Sequence, residues 1–143
     1  MRRRWSFGQG GEAFARDLST VACAFPLLGR FVQGVAYGSG HINDTFAVTF
    51  DQAGTAVRYI LQRINDRVFR DVEALMENVA RVTAHVSTCA AEQGGEDAAR
   101  RALTLVPTRD STPVHRDEDG GWWRCYLFIE RARTYDIIES PQQ

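Results

Sequence analysis

Residues with chemistry to offer fall into four short stretches. Gly38-Ser39-Gly40 stands between two apolar, alternating segments, so it reads as a turn joining strands. Glycines spaced this closely let the backbone approach a ligand, and the amide N–H groups then serve as donors to phosphate oxygens. A dinucleotide fingerprint also uses glycines, but it needs a helix N-terminus directly behind them. Here Ile42, Thr45, Phe46 and Val48 continue as strand, which removes that reading. The second stretch, Ile60-Leu61-Gln62-Arg63-Ile64, puts a carboxamide and a cation on opposite faces of one strand. The third carries two carboxylates, Glu73 and Glu77, at the start of a helix, and the fourth, Phe128-Ile129-Glu130-Arg131, is the exit of a nearly all-apolar strand.

Composition narrows the chemistry further. All 17 basic residues are arginine, so neither the lysine of a Walker phosphate loop nor a Schiff-base lysine exists among these 143 residues. A formal net charge of −1 argues against a nucleic-acid partner, whose footprint is a basic excess, and Arg2 to Arg4 read as a solvated terminus. Cys23, Cys89 and Cys125 are odd in number, far apart and without a C-x-x-C. They read as small buried hydrophobes in a reducing compartment. His41, His85 and His115 are equally scattered and define no metal site. No apolar run reaches the roughly 20 residues of a membrane span, and Glu12, Arg16 and Asp17 interrupt any signal-peptide core behind the N-terminal arginines. The expectation is a cytoplasmic protein with no membrane partner. At this length roughly 68–70% of the unfolded surface can be buried, enough for one core without disulfides or metal.

The elements that must position these residues follow from periodicity. Phe14, Leu18, Val21, Ala22 and Phe25 share one helical face, with Pro26 and Gly29 ending the helix. Residues 31–37 read as a strand. Residues 42–50 alternate, with Ile42, Phe46, Val48 and Phe50 on one face and Asn43, Thr45 and Thr49 on the other. A turn at Asp51-Gln52-Ala53-Gly54 leads to a strand over 56–64, and the short links favour an antiparallel meander. Asp71 to Ala91 forms the strongest helix, with Val72, Leu75, Met76, Val79, Val82, Thr83 and Val86 as its apolar stripe and Gly94-Gly95 as its stop. Residues 102–107, 112–116 and 122–129 read as further strands, the last two joined by the hairpin turn Asp117 to Gly121. The whole is α+β: an antiparallel sheet of about five strands, one long packed helix and an extra N-terminal helix.

A glycine turn between antiparallel strands is how kinase-type folds cover ATP phosphates; the next strand carries a cation for them and the following helix a carboxylate that positions it. Arg63 suits that role by charge, and Gln62 suits it by the commoner strand pattern, with an aliphatic residue two positions before. Glu73 lies at the edge of the apolar stripe and Glu77 nearly opposite it, so Glu73 is the expected inward carboxylate. The exit of the 122–129 strand then falls where the hinge of a two-lobed kinase reads adenine through backbone groups.

In this setting the chain resembles the N-terminal lobe of the aminoglycoside phosphotransferase/choline kinase-like superfamily, most of all its N-acetylhexosamine 1-kinase-like branch. The resemblance rests on Gly38-Ser-Gly-His-Ile-Asn-Asp-Thr-Phe46, Tyr59-Ile-Leu-Gln-Arg-Ile-Asn65, Val68-Phe69 with Glu73-Ala-Leu-Met-Glu-Asn78, Arg81-Val-Thr83, Leu103-Thr-Leu-Val-Pro-Thr108, and Trp123-Arg-Cys-Tyr-Leu-Phe-Ile-Glu130 with Ala132-Arg-Thr-Tyr-Asp136. It runs in family order from about residue 30 to the end.

The resemblance implies a protein kinase-like N-lobe over residues 30–136, behind a helical extension at 1–29, with 137–143 opening the segment toward a C-terminal lobe. It implies ATP and Mg2+ as cofactors and an amino sugar or similar small molecule as acceptor, phosphorylated on the anomeric hydroxyl. Nucleotide contacts are expected from Gly38, Ser39, Gly40, His41, Asn43, Thr45, Ile60, Gln62, Arg63, Glu73, Glu77, Phe128, Ile129, Glu130 and Arg131. The family's catalytic base and metal-binding residues belong to the C-terminal lobe, so no catalytic residue and no Mg2+ ligand is expected here. The 143 residues alone are expected to be an inactive fragment with exposed apolar surface. The alternatives are another kinase of the superfamily, acting on an aminoglycoside, choline, homoserine or another sugar, and a non-catalytic α+β binding module.

Overall fold

The computed structural model describes residues 18–38, 42–94 and 102–132. Six strands form one antiparallel sheet: β1 (Arg30–Ala36), β2 (Asp44–Gln52), β3 (Thr55–Ile64), β4 (Leu105–Val106), β5 (His115–Arg116) and β6 (Trp122–Leu127). Their order across the sheet is β1-β2-β3-β6-β4, with β5 also paired to β6. The expected meander is therefore present, and the last long strand is central, as its apolar sequence requires.

Two cores use the two faces. On one face Phe46, Val48 and Phe50 of β2, Leu61 of β3, and Trp123 and Cys125 of β6 pack against Leu18, Val21, Ala22, Phe25 and Leu27. Leu18, Phe25, Val48, Leu61, Trp123 and Cys125 are fully buried, and burying such an aliphatic or aromatic side chain contributes roughly 1.5–3 kcal/mol. The N-terminal segment thus forms half of the sheet's own core. Residues 18–22 are helical, and residues 23–26 turn. Phe14 and the rest of the expected helix lie outside the described residues. Arg109 ties that turn down, its amide donating to the Ala24 carbonyl at 2.9 Å and its Nε to the Cys23 carbonyl at 2.8 Å. Gly34 makes the close approach possible: a Cβ there would stand 2.6 Å from Leu18 Cδ1.

The opposite face receives the long helix, Val72–Gln93. Its N-cap is Asp71, whose side chain accepts from the Ala74 amide at 2.9 Å, and Gly94 ends it at φ 67°. Val72 and Met76 pack with Ile64 of β3, and Phe69, Leu105 and Trp122 close around them.

Three expectations need correction. Ile42 is 55% exposed and precedes β2, so it takes no part in the alternation. The expected strands 102–107 and 112–116 contract to two residues each; Pro107 and Pro113 have no N–H to extend a ladder. Val82 and Val86 are exposed despite their place on the stripe. A 22-residue helix is roughly 33 Å long, and it meets the sheet chiefly through its first two turns. No helix among the described residues is long and apolar enough to cross a membrane.

Candidate functional site

An open cavity of about 340 Å³ lies on the helix side of the sheet, within the range of small-molecule sites. Ile60 and Gln62 of β3 and Arg124 and Tyr126 of β6 form its floor; Phe128, Ile129 and Tyr37 form its walls. Alternation explains the floor, because Gln62 and Arg124 are cross-strand partners and so share a face.

Tyr37 arrives by curvature of the sheet. β1 and β6 are three strand spacings apart, about 14 Å in a flat sheet. Yet the Tyr37 and Phe128 rings meet edge to face with centroids 5.3 Å apart. The end of β1 therefore curls over the cavity, helped by a register shift between Phe31 and Gln33 that adds twist. Gly38 follows at φ 81°, a conformation that needs glycine even though nothing crowds the position. Ser39, Gly40 and His41 lie outside the described residues.

The two β3 candidates separate. Gln62 is in the cavity. Arg63 is on the other face, its Nε 2.8 Å from where a Gly121 Cβ would be, beneath the turn that Asp117 makes by accepting from the Gly121 amide at 2.6 Å and from Trp123 Nε1 at 2.6 Å. The cation of the cavity is Arg124, which sequence reasoning missed. Its Nε and Nη2 donate to Gln62 Oε1 at 2.9 and 2.6 Å, and its Nη1 reaches Met76 Sδ at 3.6 Å. Gln62 Nε2 in turn donates to Thr45 Oγ1 at 2.7 Å. Charge inside the otherwise apolar run Trp122 to Ile129 was the available signal.

The expected carboxylates do not join this group. Glu73 and Glu77 are both exposed; Met76, one residue before Glu77 and fully buried, takes the inward position. The correction is one of helical phase: the line facing the sheet runs through Val72 and Met76, four residues apart, and Glu73 and Glu77 are each turned about 100° from it. Asn43 has a structural bond, its Oδ1 accepting from the Asn65 amide at 2.9 Å.

At the β6 exit, the Leu127 amide donates to the Thr104 carbonyl at 2.9 Å and the Phe128 amide to the Arg58 carbonyl at 3.2 Å. Arg58 lies over the Phe128 ring at 3.9 Å and makes a bidentate pair with Glu130. That hydrogen bonding holds the Glu130 carboxyl below the usual range and raises the Arg58 guanidinium. Arg131 is exposed, in a left-handed turn at φ 58°. Burial pushes up Tyr126, opposed by the charge of Arg124.

Chemically, the cavity offers apolar and aromatic walls beside a guanidinium, which suits a ligand with a flat ring and an anionic group. Among the described residues no group of three or more His, Cys, Asp or Glu could hold a metal ion. No known family model matches the chain.

Proposed function

We propose that this chain is the nucleotide-covering half of a cytoplasmic, ATP-dependent small-molecule phosphotransferase, whose acceptor is the anomeric hydroxyl of an N-acetylhexosamine. The observation that carries the reading is the convergence on one cavity of Tyr37 just past β1, Gln62 of β3 and the β6 exit, with the long helix docked on the same face of the sheet. Adenine would sit against Phe128 and Tyr37. The Phe128 amide is already engaged, so adenine recognition falls to the amide and carbonyl of Ile129, which face the same side of an extended chain. The phosphates would extend along the floor toward Arg124, with Gln62 beneath them.

Phosphoryl transfer depends on positioning, charge neutralisation and an aligned base. This chain supplies the first. Mg2+, when bound to the nucleotide, neutralises phosphate charge; in this reading its ligands and the base belong to a second lobe. The acceptor class comes from the resemblance, which makes it the part most directly tested by assay. Incubating the protein at its natural gene length with ATP and N-acetylglucosamine, N-acetylgalactosamine, choline or an aminoglycoside should yield a sugar 1-phosphate with the first two. Phosphorylation confined to another acceptor would overturn the sugar assignment, and no transfer to any acceptor would overturn the kinase reading.

A further inference from the structure

We infer that Arg124, on the strand beside β3, is the cation that recognises the phosphate chain in this cavity. The inference rests on the nucleotide reading for the ligand's identity, but its grounds are independent of it. A guanidinium has five N–H donors. Three are directed to Gln62 Oε1 and Met76 Sδ, which leaves two for a ligand. None of these partners carries charge. Tyr126 lies 5.3 Å from the guanidinium carbon and gives only partial cation–π compensation. A half-buried cation held by an amide, a thioether and an aromatic ring is paired with no described carboxylate, and desolvation makes such a charge costly until an anion completes it.

The geometry is also built to aim the group. Thr45 fixes the Gln62 amide by accepting from its nitrogen, which turns the amide oxygen toward Arg124. That oxygen accepts two donors from one edge of the guanidinium, so the fork is oriented before any ligand arrives, and bidentate donation to phosphate is what such a fork does best. Gln62 then acts as a positioning residue, and the neutral side chain on β3 is the counterpart of the charge on β6. Because Glu73 and Glu77 are solvent-exposed, no carboxylate from the helix competes with the ligand for this cation.

The test uses the full 143-residue chain, labelled with 15N, titrated in the millimolar range with tripolyphosphate, ATP and adenosine. The Arg124 Nε–H resonance is assigned by its absence in Arg124→Gln. Tripolyphosphate and ATP should move that resonance, and adenosine should not. Arg124→Gln should weaken tripolyphosphate and ATP at least tenfold with adenosine unchanged; Arg124→Lys should recover part of the loss; Gln62→Ala should fall between. An Arg124 resonance that tripolyphosphate leaves unmoved overturns the inference in the unaltered protein, whatever the variants do. Arg124→Gln binding ATP within twofold of the unaltered chain also overturns it, while leaving the nucleotide reading standing. Arg124-dependent binding of tripolyphosphate, with no adenosine effect at Phe128 or Ile129, upholds Arg124 and overturns the nucleotide reading instead.

Discussion

In the proposed site, two strands share what one lysine does in many phosphate sites: Gln62 orients through its bonds to Thr45 and Arg124, and Arg124 carries the charge. Cys125, the residue after Arg124, shows how sharply environment changes across one strand. Its side chain is on the opposite face, fully buried, and burial pushes its thiol from 9.0 up to about 12. Between those values the unfolded chain releases the proton and the native chain keeps it. Native stability from this group is therefore whole below pH 9 and is lost as pH rises toward 12, at about 1.4 kcal/mol per pH unit. Urea titrations of the unaltered chain and Cys125→Ala over pH 8–11 should show that extra slope only in the former. Parallel slopes would mean that Cys125 ionises as freely in the native state as in the unfolded one.

Among the elements, the strand meander, the long helix and the centrality of the last strand were legible in the sequence, because alternation and helical period report burial directly. What was not legible came from contacts between elements. Periodicity found the stripe of the long helix, but only the sheet's extent decides that Met76 is inward while Val82 and Val86 are exposed. Gln62 and Arg63 stood as equals until the pairing register put Gln62 beside Arg124 and Arg63 against Gly121. Connections carry a testable contrast of their own. Gly29 and Gly54 both have positive φ, 91° and 88°, but a Cβ on Gly29 would be 2.3 Å from the Asp51 carbonyl oxygen, whereas one on Gly54 meets nothing within 4 Å. Gly54→Ala should cost about 1 kcal/mol, from the left-handed backbone alone. Gly29→Ala should cost at least about 2 kcal/mol more, since backbone must move. Thermal denaturation of the two variants measures both, and equal losses would contradict the close approach of the N-terminal segment to β2.

For the whole molecule, the two faces of the sheet have different tasks. One is closed by the N-terminal segment and supplies stability. The other is only partly covered, by the first turns of the helix, and holds the cavity that Tyr37 and Phe128 wall. Crystals of the chain grown with a non-hydrolysable ATP analogue test that division of labour between the faces. Adenine should lie against the wall that Tyr37 and Phe128 form together, with phosphate oxygens within hydrogen-bond distance of Arg124. A nucleotide bound elsewhere on the chain, or an empty cavity at millimolar analogue, would contradict it.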